Sequence, residues 1–452
     1  MALSRLFDIS QRSMVTYQRS MDVASNNIAN AGNPDYRRQR AIVSTEKTQQ
    51  NAGITWGSGI KIDDVQRVRN SLTENQIINN NQSKSFFERS SVLLGQIENI
   101  YTEPSELGLS SMLGQFLSSW SELSANPTSS ALRGSVAYSA QNLAAKVNEV
   151  NEGFQIVKSS IYYEFQDKVA EVNDILSSLQ SVNRQISEAK AIGQNANDLM
   201  DKRDTFVDNL SKLVNITVNY ESDETVSISI GGVFAVNKGS FTKFEVSNTE
   251  GNIAMVSQNG GKVAKLTKGE MGALIDTFTK KIPAYQEKLN SIVNQLVESV
   301  NDIHKTGYTN GNPPTMGSSF FEGYDGRELK VSANILNDYN NIAASGDGTS
   351  GNGDIAIKIF EIGEANVLNG AKLIDVYSTL ISEVGSQKQN ADRMNEASSM
   401  VLEQLNNQKD SYSAVSIDEE MMNVMKYQKA YEASAKLISM ADEMLDTLIN
   451  MV

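Results

Sequence analysis

The sequence contains no cysteine and one histidine, His304. The first absence excludes disulfides, a thiol nucleophile and any cysteine-rich metal site. The second excludes zincin motifs and every metal site that needs two or three imidazoles. A Ser-His-Asp triad would have to use His304, and no Gly-x-Ser-x-Gly elbow is present to carry the serine. A lone histidine closing an amphipathic helix is expected to be structural or a helix-end cation. No glycine loop followed by Lys-Ser/Thr is present to cradle a phosphate. The glycine-rich run from Gly346 to Asp354 superficially resembles a calcium loop, but it lacks carboxylates at alternate positions and a closing glutamate. It is expected to be a flexible loop. Acidic residues are too common for spacing to select a hydrolytic pair, so nothing in the chain implies a catalytic residue, a metal or a cofactor.

Other scarcities are equally informative. There are six prolines, which suits long helices, because proline interrupts the helical ladder. No apolar stretch approaches the roughly 20 residues needed to cross a bilayer, so membrane insertion is not expected. Arg5, Asp8, Arg12, Arg19 and Asp22 interrupt any candidate signal-peptide core, and export, if it occurs, is expected without a cleaved signal. The net charge of −14 opposes a nucleic-acid or anionic-membrane partner. The one basic cluster, Arg37, Arg38 and Arg40 beside Tyr36, is expected to be solvated or to face protein.

What is present is helical periodicity at both ends. Phe7, Met14, Met21 and Ile28 recur every seven residues, with Leu3, Tyr17 and Ala24 at the companion positions and Ser10 as the polar exception. The pattern stops between Asn30 and Pro34, where glycine and proline end a helix. Ile417, Val424, Tyr431, Ile438, Leu445 and Val452 repeat the same interval near the C-terminus. Tyr427, Ala441 and Leu448 flank them, Ser434 breaks the series, and Ser416 is the expected N-cap. Residues 1–70 carry ten basic and six acidic side chains, and residues 401–452 carry four and nine, giving +4 and −5. Two apolar seams of opposite charge are expected to pair with each other or with neighbouring copies. The alternative is that each stripe packs on its own globular domain.

Between the ends, apolar residues from Leu143 to Ile186 step by three and four, predicting one long helix. Residues 64–100, 284–303 and 371–410 also read as helical. Alternation at Ile216, Val218 and Tyr220, and at Val226, Ile228 and Ile230, predicts strands, with Gly231-Gly232 as a turn before Val233 to Val236. The expected fold is mainly α with an inserted β domain: a rod-like, multi-domain chain whose N- and C-terminal helices pair as a coiled coil. The expected domains are 1–60 with 412–452, a helical domain of 61–204 with 281–411, and a β domain of 205–280. Residues 306–370 have no assigned place.

The ends also resemble a known family. Ser25, Asn26, Asn27, Ile28, Ala29 and Asn30, continuing through Ala31 to Tyr36, are similar to the N-terminal signature of flagellar rod, hook and hook-associated proteins. The run Tyr36-Arg37-Arg38-Gln39-Arg40 is closer to the hook-associated protein 1 branch than to the hook or rod branches. Ser416 to Met421, Met425 to Tyr431 and Ala435 to Ile438 resemble the tail of that branch. So do Asp198 to Asp204, Leu213 to Thr217 and Phe320 to Gly323. The resemblance implies a structural subunit, not an enzyme, at the junction of hook and filament. It implies secretion through the flagellar export apparatus and an extracellular place on the flagellum. The implied partners are copies of itself in a ring, the hook protein, hook-associated protein 3 and a flagellar export chaperone. The residues expected at the assembly interface are Leu3, Phe7, Met14, Tyr17, Met21 and Ile28 at one end, and Val424, Tyr427, Tyr431, Ile438 and Leu445 at the other. Two other readings stay open: another axial protein such as hook-associated protein 3 or a hook subunit, and a secreted adhesin or hydrolase using the β domain.

Overall fold

The computed structural model describes residues 2–51, 54–249, 251–368 and 370–450. Helix α1 (Ala2–Ala29) is followed by strand β1 (Gln39–Thr45), the short antiparallel pair β2 (Gln49–Asn51) and β3 (Ile54–Trp56), and β4 (Ile60–Arg67), which returns antiparallel to β1. Four helices come next: α2 (Ser71–Tyr101), α3 (Leu109–Ala125), α4 (Ser130–Ala191) and α5 (Asn197–Leu213). Strands β5 (Ile216–Tyr220), β6 (Val226–Ile230) and β7 (Val233–Val236) form one antiparallel sheet, and β8 (Phe244–Thr249) pairs with β9 (Asn252–Ser257) in another. Helix α6 (Gly269–Asp276) passes through a π-helical turn at Thr277–Lys281 into α7 (Ile282–Lys305). Then follow the pair β10 (Phe321–Tyr324) and β11 (Leu329–Val331), α8 (Ala333–Asn337), α9 (Asp354–Glu361), α10 (Leu373–Ser413) and α11 (Ile417–Asn450).

These elements divide into two compact units. The first contains residues up to Gln82, Val172–Lys243 and everything from Ser398 onward; the second contains Ser83–Glu171 and Phe244–Ala397. The sheet β5–β7 therefore belongs to the first unit and the pair β8–β9 to the second.

Local sequence explains most of the helices. All thirteen members of the stripe from Leu143 to Ile186 are buried on α4, which runs for 62 residues. Each such side chain removed from water stabilises the fold by about 1.5–3 kcal/mol. The helix ends where Gly193 takes a φ of +72°. There Gln194 N–H bonds the Ala189 carbonyl and Gly193 N–H bonds that of Lys190. That pair of bonds closes the last turn and favours glycine. In the β5–β7 sheet, Gly231 and Gly232 both have positive φ, as a tight hairpin turn demands. One expectation is corrected: the helix read from residue 64 begins at Ser71, because Asp64 to Arg67 still pair with β1. Ile60 and Ile62 alternate with charged residues, a period of two that belongs to a strand.

Of the stretch 306–370, unplaced from sequence, Ser318, Phe320 and Ala343 pack in the second unit against His304. Its ring is fully buried, Nδ1–H donates to the Ser318 carbonyl at 2.6 Å, and Nε2 accepts from Ala343 N–H at 2.8 Å. Trp120 and Phe320 enclose the ring. Burial pushes its pKa down to about 4, so His304 is a neutral structural pin and not a helix-end cation. The glycine-rich loop is also tied down. Asp347 Oδ1 accepts from Thr349, Asn352 and Ser345, and Asp354 Oδ1 accepts from the amides of Gly346 and Ile355.

Candidate assembly interface

Within the first unit, α1 and α11 pack along each other. They run antiparallel: Leu3 and Leu6 at the start of α1 lie beside Met440, Met444 and Leu448 near the end of α11. Between the two ends, Tyr17 and Tyr427 stack with ring centroids 6.4 Å apart and planes 25° apart. Phe7, Met14, Met21 and Ile28 on α1 are half-buried, as are Val424, Tyr431, Ile438 and Leu445 on α11. Val452, the last member of the C-terminal series, lies outside the described residues. Two helices alone do not enclose their seams. The groove that holds Leu3 and Leu6 is an open apolar trough of about 640 Å³.

The fully buried residues of α1 are small or polar: Ser10 and Ala24, which belong to the heptad seam, and Thr16, Ser20 and Asn27 beside it. The helix meets β1 and β4. Thr16 Oγ1 donates to its own helix at the Arg12 carbonyl and lies 3.2 Å from the Ile60 carbonyl of β4. Small side chains let strand backbone come that close. The spacing of Thr16, Ser20, Ala24 and Asn27 by fours and a three was the available signal for this second stripe.

The motif from Ser25 to Arg38 acts at the end of α1. The Asn27 amide is fully buried and reads the backbone of Gln39 as a neighbouring strand would. Its Nδ2 donates to the Gln39 carbonyl at 2.9 Å, and its Oδ1 accepts from Gln39 N–H at 2.9 Å and from the Tyr36 hydroxyl at 2.8 Å. Asn26 Nδ2 donates to Tyr36 Oη, and Asn30 Nδ2 donates to Asn26. Ile28 is half-buried, while Ser25 and Ala29 are exposed. Burial, reinforced by Asp198, Asp201 and Glu420, raises the Tyr36 pKa, so its hydroxyl stays a donor.

Arg38 carries this network to the C-terminal helix. Its guanidinium binds Glu420 at 2.7 Å and Glu419 at 3.0 Å, and its N–H donates to the Ser413 carbonyl at the end of α10. Glu420 is buried in the first turn of α11, where a carboxylate also favours the helix N-terminus. Arg37 N–H donates to Asp201, whose other oxygen holds Arg67 at 2.8 Å. Arg67 also binds Asp204, which Arg203 grips at 2.6 Å. Burial alone would raise the Asp204 pKa, but Arg203, Arg67 and Arg69 outweigh it and hold it low. For Asp201, burial wins and the pKa is raised. The family resemblance singled out Arg38 but not its acceptor Glu420, nor Arg67, because ion pairs between distant segments leave no local periodicity.

The arrangement offers apolar surface on fixed helices, and the comparisons with known proteins agree with it. Residues 94–321 match the family model of the flagellar hook-associated protein FlgK helical domain. Residues 408–451 match that of the flagellar basal body rod FlgEFG protein C-terminal region. The chain is 29% identical over 502 residues to flagellar hook-associated protein 1 of Bacillus subtilis (strain 168), covering 98% of this chain and 97% of that one. It is 21% identical over 548 residues to the protein of the same description from Escherichia coli (strain K12), covering 99% and 100%. Among solved structures, the flagellar hook junction protein FlgK from Burkholderia pseudomallei shares the fold, with a TM-score of 0.67 at 13% identity. That match covers 75% of this chain and 100% of the other.

Proposed function

The chain belongs to the family of the flagellar hook-associated protein FlgK, and we propose that it is a structural subunit assembling at the distal hook as the junction between hook and filament. The observation that carries this reading is the α1–α11 pair. Both helices are long and amphipathic, yet α11 keeps Met421, Met425, Leu437, Met440, Met444 and Leu448 exposed. Helices with uncovered apolar faces are marginal alone. Covering that face with neighbouring subunits stabilises the assembly by about 25 cal/mol per Å² of apolar surface.

In this reading the terminal segments, 1–60 with 412–452, are the assembly domain. The partners are copies of the chain in a ring, the hook protein on one side and hook-associated protein 3 on the other. The subunit leaves the cell through the flagellar export apparatus, and an export chaperone covers α11 beforehand. Binding free energy is spread over packed helices, and no catalytic residue is involved.

The test is Tyr431→Asp, which puts a charge at the centre of α11. The variant is expected to keep the buried aromatic core of the second unit, read by the fluorescence of Trp120, and to fail to support filaments. Normal filaments on cells carrying only this variant would refute the reading.

A further inference from the structure

We infer that the outward face of α11 is a methionine-oxidation site through which a hydroperoxide blocks attachment of the unassembled subunit; this rests on the assembly reading above. The chain has sixteen methionines and no cysteine. Thioethers are therefore its softest targets for a peroxide. Five of them lie along α11: Met421, Met422, Met425, Met440 and Met444 are 53, 58, 56, 50 and 47% exposed. By contrast, Met200, Met255 and Met271 are at most 4% exposed.

Position decides the consequence. At 3.6 residues per turn, Tyr427, Tyr431, Ser434, Ile438 and Ala441 share the side of α11 that is buried or half-buried in the pair with α1. Met421, Met422 and Met425 project from the other half of the helix, whereas Met440 and Met444 border the open groove beside Leu3 and Leu6. Oxidation at Met421, Met422 and Met425 leaves the seam between α1 and α11 intact and alters only the face open to neighbours. In each event the thioether sulfur attacks one oxygen of the hydroperoxide. The O–O bond breaks, sulfur loses two electrons and becomes a sulfoxide, and the reduced oxygen leaves as water or alcohol. A flexible apolar side chain becomes a polar one. Burying such a group without a hydrogen-bond partner is unfavourable enough that even one sulfoxide in the interface weakens attachment by about tenfold or more. Once the subunit is in place, the same face is covered and the reaction is shut off.

The experiment uses the purified full chain, labelled and treated with hydrogen peroxide. Sulfoxides are mapped by peptide mass spectrometry. Attachment is measured to hooks isolated from a strain lacking this gene. The five α11 methionines are expected to oxidise before Met200, Met255 and Met271, with unchanged circular dichroism and attachment lost. Methionine sulfoxide reductase should restore it. A variant with the five methionines changed to leucine should attach equally before and after peroxide. Oxidised wild-type chain that still attaches would overturn the inference, as would peroxide sensitivity persisting in the leucine variant. Untreated wild-type chain that never attaches would instead overturn the assembly reading beneath it.

Discussion

Arg38 and Glu420, 382 positions apart in the chain, meet in a charge-assisted pair in which Nε and Nη2 both reach the same carboxylate oxygen, at 2.8 and 2.7 Å. The pair fixes the chain leaving α1 to the first turn of α11, so the two terminal helices are registered at one end by charge and along their length by apolar contact. The carboxylate is almost wholly buried, whereas the guanidinium is about a quarter exposed. Arg38→Ala would leave Glu420 buried and unpaired, costing about 2–4 kcal/mol. Hydrogen exchange should show faster opening of residues 2–40 and 417–450 together. Unchanged protection at both ends would show that apolar packing alone sets the register.

Asn27 is expected to be less replaceable than any apolar residue of α1. Its amide matches one backbone donor and one backbone acceptor of Gln39. Asn27→Asp keeps the size but loses the Nδ2 donor, placing a carboxylate against the Gln39 carbonyl. A loss of about 2–3 kcal/mol is predicted, read by denaturant unfolding. Asn27→Leu should be no better, since it leaves both backbone groups unsatisfied. A change below about 0.5 kcal/mol in either variant would mean that water replaces the amide at no cost.

His304 makes the second unit sensitive to acid. Its folded pKa of about 4 lies below the ordinary value of 6.5, so the folded state favours the neutral ring. This contribution is fully present above pH 6.5 and is lost as the pH falls toward 4, to a total of about 3 kcal/mol. Trp120, 6.1 Å from the ring, reports on it by fluorescence. His304→Gln should start less stable and show a flatter profile between those two pH values. An equally steep profile in that variant would assign the acid sensitivity to another group.

Asp208 acts in the first unit with the opposite sign. Burial, with Asp204 adding to it, raises its pKa to about 6, above the ordinary 3.8. Folding disfavours the carboxylate, so the first unit gains stability as the pH falls from about 6 toward 3.8. Asp208→Asn is expected to raise the denaturation midpoint at pH 7 and to remove that gain. Because His304 and Asp208 slope in opposite directions, a whole-chain melting curve would partly cancel them, and probes local to each unit are required. A lower midpoint for Asp208→Asn at pH 7 would show that its charge is used by Lys409 or Arg37, both beside it.

Periodic features were legible in the sequence because they repeat. The stripe from Leu143 to Ile186 becomes one buried helix face, and Gly231-Gly232 becomes a hairpin turn at the expected place. The end of α1 at Ala29 agrees with the glycine and proline that follow. The pairing of β1 with β4 was not legible, because it depends on side chains supplied from α5. Asn197 donates to the Val65 carbonyl, and Asp201 and Asp204 hold Arg67. At the interface, Tyr17 and Tyr427 come together as facing seams would require. The buried contacts of Thr16 and Asn27 and the acceptor Glu420 were not legible for a common reason. A buried polar contact is specified by its partner, and the partner lies in another part of the chain.

The most direct measurement is a clean deletion of this gene, scored for motility, for hooks and filaments by electron microscopy, and for flagellin in the medium. A subunit that joins filament to hook predicts non-motile cells with hooks, no filaments and full-length flagellin released as monomer. Normal filaments and normal swimming in the deletion strain would contradict the junction role outright.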